Sequence, residues 1–104
     1  MINKNDKIFV AGHKGLIGSA IVRKLKERGY KKIITIDRKK LNLIDQKKVF
    51  SYLRKNKPKF IFLAAAKVGG IYSNNISKAD YIYENIMIQT NIIHGAFKSN
   101  IRNL

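Results

Sequence analysis

Three glycines, Gly12, Gly15 and Gly18, fall at intervals of three within the stretch FVAGHKGLIGSA, residues 9–20. They follow an apolar run and lead straight into an amphipathic one. A strand that feeds a helix through such a loop aims the helix N-terminus at whatever lies above the sheet. Unpaired amides and the positive end of the helix dipole favour a phosphate there, and bare α-carbons let the backbone come close to a pyrophosphate. Gly18 then lets the helix pack tightly on the strand. Lys14 could offer a cation to a phosphate. His13 could cap the helix or touch a cofactor. The bland alternative for both is a solvated loop side chain, and for the glycines a purely structural turn.

A second cue is expected about 20 residues further on, where an acidic residue holds the ribose of NAD or a basic one holds the 2′-phosphate of NADP. That point reads Asp37-Arg38-Lys39-Lys40. Asp37 could accept from a free 2′-hydroxyl, whereas the planar fork of Arg38 suits a phosphate dianion and the two lysines add positive potential. Three cations against one carboxylate favour NADP. Asp45 could accept from an adenine amino group or simply cap a helix.

These residues need elements to hold them. Residues 7–11 form an apolar run that reads as a buried strand. Over 16–28, Leu16, Ile17, Ala20, Ile21 and Leu25 recur at helical spacing, and Gly29 stands where a helix-ending glycine belongs. The largely β-branched run 33–36 reads as a second strand, and 41–43 as a short, edge-like third. A helix is expected over 46–56, stopping before Pro58. Residues 60–64 read as another strand, 65–77 as a loop with Gly69-Gly70 and Asn74-Asn75 as turn signals, and 79–98 as a long helix. Strands alternating with helices in this way predict an α/β, doubly wound parallel sheet of the Rossmann-like kind, of which only the N-terminal part is present.

The chain of 104 residues carries 22 Lys and Arg against 6 Asp and Glu, a net charge of +16. A basic balance invites a nucleic-acid partner. The lysines, however, are spread over every segment without interleaved aromatics, so no nucleic-acid partner is expected. No apolar run reaches the roughly 18 residues of a membrane helix, and the first residues lack a signal-peptide core. With no cysteine, thiolate metal sites and a Cys nucleophile are excluded. A cytoplasmic location and the absence of a metal are the expectations.

The G-x-x-G-x-x-G spacing departs from the standard dinucleotide fingerprint. It resembles the version found in extended short-chain dehydrogenase/reductases. The stretches LAAAKVGGIYSNN and ADYIYENIMIQTNIIHGA narrow this to a resemblance to the GDP-L-fucose synthase family. Members of that family epimerise and reduce GDP-4-keto-6-deoxy-D-mannose to GDP-L-fucose with NADPH. AGHKGLIGSAI, DRKKLNLID and AAAKVGG all fall in the family's order. The resemblance implies that Gly12, His13, Lys14, Gly15, Leu16, Ile17 and Gly18 line the pyrophosphate. It places Arg38, with Lys39 and Lys40, at the 2′-phosphate, and Leu41, Asn42 and Leu43 beside the adenosine half. Ala64, Ala65, Ala66 and Lys67 would pass beneath the cofactor, unless those alanines serve only close strand–helix packing. Val68-Gly69-Gly70 would approach the nicotinamide and the sugar. Lys78 stands where relatives tend to have proline, so a looser helix entry is expected. The long last helix resembles one used for homodimer formation. Its stripe of Tyr83, Met87, Ile93 and Phe97 reads equally as plain core. His94 reads as structural.

The same resemblance implies catalytic residues that are not in this chain. The family's chemistry needs a Ser and a Tyr-x-x-x-Lys pair, the Lys lowering the pKa of a proton-donating Tyr, with a further Cys and His for epimerisation. The residues four on from Tyr30, Tyr52, Tyr72, Tyr81 and Tyr83 are Ile34, Asn56, Ile76, Asn85 and Met87. None gives the pair. These 104 residues are expected to be inactive alone, with the nucleotide sugar bound only by a fuller enzyme. Strand 60–64 is expected to lack its next neighbour and leave an apolar edge. A stand-alone dinucleotide-binding module, and the cofactor half of another extended short-chain sugar-nucleotide epimerase or dehydratase, are the competing readings.

Overall fold

A computed structural model describes residues 3–65 and 78–104. The elements run β1 (Ile8–Ala11), α1 (Leu16–Glu27), β2 (Ile33–Ile34), α2 (Gln46–Asn56), β3 (Phe60–Leu63) and α3 (Lys78–Lys98). The three strands form one parallel sheet in the order β2-β1-β3. The fold is α/β and Rossmann-like, as the alternation predicts.

β1 is central, and its period-two alternation divides the core. Ile8 and Val10 face α1, where Leu25, Ile21 and Val22 meet them with Phe60 and Phe62 of β3. Phe9 and Ala11 face the other way, onto Val49 and Leu53 of α2 and Ile92 and Ala96 of α3. All four β1 side chains are buried, which is why the strand is apolar on both faces. α2 and α3 sit close because Gly95 has no side chain. A β-carbon there would stand 2.9 Å from the Phe50 ring and 3.0 Å from Leu53.

Local chemistry ends the helices. α1 closes at Arg28, and Gly29 follows with φ of 87°, its amide donating to the Lys26 carbonyl and that of Tyr30 to the Leu25 carbonyl. Asp45 caps α2 by accepting from the Lys48 amide at 3.2 Å. Its capping role is therefore the one the structure displays.

Three expectations need correction. β2 ends at Ile34 rather than residue 36, because only Ile33 and Ile34 pair with β1. Residues 41–43 form no strand. The Asp37 carbonyl accepts from the Lys40 and Leu41 amides, Asn42 Oδ1 accepts from the Ile44 amide, and Leu41 is tucked into the core. Nor is the β3 edge bare. After α3 the chain turns through Asn100, at φ 61°, buries Ile101 and pairs Asn103 in parallel with Phe60. The Ile61 amide donates to the Asn103 carbonyl at 2.9 Å, and Asn103 Nδ2 donates to the Lys59 carbonyl. A single parallel bridge thus covers one end of that edge. The loop over residues 66–77 and the entry to α3 lie outside the described residues.

Candidate functional site

In an open α/β sheet, ligands bind beyond the carboxyl ends of the strands, at the point where strand order reverses. Here the chain goes from β1 to β2 on one side and then to β3 on the other, so the reversal lies between β1 and β3. A cavity of about 200 Å³ opens at that place. Its floor is Phe9 and Ala11 of β1 and Ala64 and Ala65 after β3, its rim is the loop 12–15, and Ile36, Arg38, Leu41 and Leu43 form the opposite wall. Pockets for drug-sized ligands run about 300–1,000 Å³. This one falls below that range.

The three loop glycines stand in different surroundings. Gly12 has φ of 87°, and a β-carbon on it would stand 2.6 Å from the Ala65 amide nitrogen. A β-carbon on Gly18 would stand 1.8 Å from the Gly12 carbonyl oxygen. Both are demanded by the chain's own packing. Gly15 is not. Its φ of −74° and ψ of 170° suit any residue, and the nearest atom to a β-carbon would be the Gly12 oxygen at 3.5 Å. Gly15 caps α1 without any side-chain hydrogen bond, which leaves first-turn amides directed out of the helix end. The space beside Gly15 therefore fits an anionic group drawn against the helix terminus.

Charge gathers at the same rim. Lys14 Nζ lies 2.9 Å from Asp37 Oδ1, and His13 Nε2 lies 3.5 Å from the same oxygen. The hydrogen bond and charge of Lys14 hold the Asp37 carboxyl below the usual aspartate range, with smaller contributions from His13 and Lys40. His13 thus faces Asp37 rather than open solvent. Arg38 lines the cavity next door.

Gly12, His13, Lys14, Gly15, Arg38, Leu41, Leu43, Ala64 and Ala65 come together around one cavity. Leu16 and Ile17 do not line it. Their side chains project outward, Leu16 being 89% exposed, on the outer flank of α1. Only their backbone can serve the loop. Lys39, Lys40 and Asn42 are exposed and stand off the cavity wall. Ala66, Lys67 and Val68-Gly69-Gly70 lie outside the described residues.

Sequence reasoning missed Phe9, Ile36 and Ile88, which give the cavity its apolar lining. It also missed Asn91. That residue is 2% exposed, and its Nδ2 donates to the Leu43 carbonyl at 2.9 Å and the Ile44 carbonyl at 3.0 Å. Asn91 ties α3 to the wall segment. The available signal was a lone amide on the α3 face between Ile88 and Ile92. Among the described residues, no cluster of His, Asp and Glu could hold a metal, and no helix is long and apolar enough to cross a membrane.

The exposed face of α3 carries Ile82, Tyr83, Ile86, Ile93 and Phe97, while Ile88, Asn91, Ile92 and Ala96 make the buried face. Of the stripe named from sequence, Tyr83, Ile93 and Phe97 are therefore not core in this chain, and Met87 is half-buried. The exposed His94 ring lies 5.7 Å from Phe50 and 6.0 Å from Phe97.

The sequence profile of the NAD dependent epimerase/dehydratase family matches residues 8–104. The chain is 49% identical over its whole length to GDP-L-fucose synthase 1 of Arabidopsis thaliana, of which it covers 32%. It is 44% identical over 99 residues, 95% of the chain, to the GDP-L-fucose synthase of Escherichia coli, covering 31% of it. Among solved structures, MlghC, a GDP-mannoheptose C4 reductase from Campylobacter jejuni with NADP bound, superposes with a TM-score of 0.90 at 39% identity. That match covers 97% of this chain and 32% of the other. The chain spans about a third of the length of the curated relatives it matches.

Proposed function

The chain belongs to the NAD dependent epimerase/dehydratase family, and from that premise we propose that residues 1–104 are the N-terminal part of an NADP-binding domain. The protein that carries them is then a GDP-L-fucose synthase, converting GDP-4-keto-6-deoxy-D-mannose to GDP-L-fucose by epimerisation and reduction. The observation that carries the cofactor reading is Gly15. It is the one loop glycine that neither backbone angle nor internal packing requires, and it stands at a helix terminus over a cavity at the strand-order reversal. A diphosphate in that space accounts for its missing side chain.

In this reading the loop from Gly12 to Gly18 holds the pyrophosphate and Arg38 meets the 2′-phosphate. Leu41 and Leu43 flank the adenosine, and Ala64 and Ala65 keep the floor low beneath a flat ring. When bound, NADPH supplies the hydride that reduces a keto sugar. The residues described here bind and orient it; the proton donor and the sugar-binding groups belong to other parts of the enzyme. The likeness to GDP-L-fucose synthases supports the GDP-sugar class. The exposed α3 face would be covered by a second copy in a homodimer, and the location would be cytoplasmic.

A second reading has its own support. The likeness to a GDP-mannoheptose C4 reductase favours a GDP-heptose as the sugar nucleotide.

Fluorescence titration with NADPH tests the cofactor reading, with circular dichroism reporting the fold. Saturable binding that Gly15→Ala weakens by about tenfold or more, with an unchanged melting temperature, supports it. A folded chain that takes up no NADPH overturns it. Incubating the enzyme that contains this chain with each keto sugar nucleotide then decides the substrate, and reductase turnover by residues 1–104 alone would contradict the placement of catalysis outside them.

A further inference from the structure

In a parallel sheet all strands start at one end, and the crossover helices finish there. In this chain that end collects charge. Lys7 stands before β1, Lys31 and Lys32 before β2, and Lys57 and Lys59 before β3. Backbone bonds fix these approaches side by side. The Ile8 amide donates to the Lys32 carbonyl at 2.8 Å, the Lys59 amide to the Lys7 carbonyl at 2.8 Å, and the Lys31 amide to the Lys4 carbonyl at 3.3 Å. The last turns of α1 and α2 add Lys24 with Lys26 and Arg54 with Lys55. Lys4 Nζ donates to the Arg28 carbonyl, and Lys7 Nζ to the Asn56 carbonyl at 2.9 Å, which locks both helix ends onto the same face. Residues 4–7, 24–32 and 54–59 hold eleven of the 22 Lys and Arg against two carboxylates, Asp6 and Glu27. All eleven basic residues are exposed. Lysines dispersed along the sequence thus become one basic pole, at the end of the sheet opposite the nucleotide cavity.

We propose that this basic pole docks the chain on the surface of an anionic phospholipid bilayer, through electrostatic contact with the headgroups and without insertion. Among the described residues, the exposed large hydrophobic side chains lie on the first turn of α1, on α3 and at Leu104, none of them at this pole. Charge is therefore the whole of the attraction. Each Lys or Arg near a negative leaflet adds to binding, and its effect decays within a Debye length, about 8 Å at physiological salt. A polynucleotide fits the pole less well. Tyr30 is the one aromatic residue in the three segments, and it is half-buried with Lys4 Nζ 4.2 Å from its ring centre, so it offers no open platform to a base. The helices present their C-termini here, so no helix N-terminus is offered to a phosphate backbone or a groove. The cations fan out from three strand starts and two helix ends, an array that meets a surface rather than tracks a single strand of phosphates. Docked in this way, the chain keeps its cavity facing away from the lipid.

The test is cosedimentation of the chain with phosphatidylcholine vesicles, with and without phosphatidylserine, at low and high salt. Binding is expected only where phosphatidylserine is present, and is expected to fall by more than about tenfold from low to high salt. Lys31→Glu with Lys32→Glu is expected to weaken it by about thirtyfold or more. Lys47→Glu with Lys48→Glu, on exposed positions of the first turn of α2 at the other end, makes the same change in net charge and is expected to cost less than about threefold. Circular dichroism confirms that both variants are folded. Equal losses from the two pairs overturn the proposal, since overall charge rather than the pole would then govern. Equal binding to vesicles with and without phosphatidylserine overturns it, as does binding to neither at low salt. Uptake of a duplex RNA without any uptake by vesicles, abolished by Lys31→Glu with Lys32→Glu, also overturns it and assigns the pole to nucleic acid.

Discussion

The carbonyl oxygen of Gly12 occupies the place that a side chain on Gly18 would need: a β-carbon there would lie 1.8 Å from it. Loop and helix are therefore in backbone contact at the entrance to the cavity. Gly18→Ala must push apart two main-chain segments, neither of which can rotate away. Overpacking of this kind costs about 3 kcal/mol or more when backbone is the obstacle. We expect a fall in melting temperature of more than about 10 °C by thermal denaturation. Gly15→Ala, with open space at its α-carbon, is expected to melt with the wild type. Equal melting temperatures for Gly18→Ala and wild type would refute the close contact.

Asn91 offers a second test. Its amide satisfies the Leu43 and Ile44 carbonyls from the buried side of α3. Asn91→Ala leaves those acceptors without their partner, which costs about 1–3 kcal/mol. Because Leu43 lines the cavity, nucleotide binding should weaken together with stability. Denaturant unfolding and NADPH titration measure the two effects. A variant as stable as wild type would show that water replaces the amide without cost.

The Asp37–Lys14 pair predicts a pH dependence. Lys14 lowers the Asp37 pKa, so the pair stabilises the fold above the ordinary aspartate pKa, and this contribution is lost as pH falls through the lowered folded value. Asp37 is well exposed, so the effect on unfolding is small and is best read at the residue itself. A carboxyl-detected NMR titration should place its midpoint below that of an unstructured aspartate. Lys14→Met should move the midpoint back up. A midpoint indifferent to that change would remove the ion pair from the account.

The outer face of α3 gives a fourth prediction. Phe97 is 74% exposed and Ile93 51% exposed on a helix whose opposite face is already packed. If a second copy covers this face, Ile93→Lys with Phe97→Lys should shift the species seen by sedimentation velocity from dimer to monomer. The melting temperature of a monomer would change little, because exposed substitutions are usually worth within about 0.5 kcal/mol. A wild-type chain that is monomeric at high concentration would argue against the interface.

Much of the fold was legible because its signals are local. β1 reads as apolar on both faces because a central parallel strand is buried on both, and Gly29 marks a helix end because few other residues tolerate its backbone angle. Asp45 before the run 46–56 carries its capping role in its own side chain. The run 33–36 misled because strand propensity says nothing about where pairing must stop. Ile36 leaves the sheet to line the cavity, a choice set by the partner strand. Leu41-Asn42-Leu43 misled similarly, since turn bonds from Asp37 and Asn42 outweigh an apolar pair.

By itself, the sequence determined the alternation of strands and helices and the position of the loop that faces the cavity. Each of these follows from residue type and short-range spacing. Only the tertiary structure decided which loop glycine the packing leaves open, since that depends on where Ala65 and the Gly12 carbonyl lie. It alone brought Lys14 and His13 onto Asp37, more than twenty residues away in the chain. It alone turned Asn91 toward the cavity wall and the α3 stripe away from the core. Such relations arise from folding distant segments against one sheet, and no local pattern encodes them.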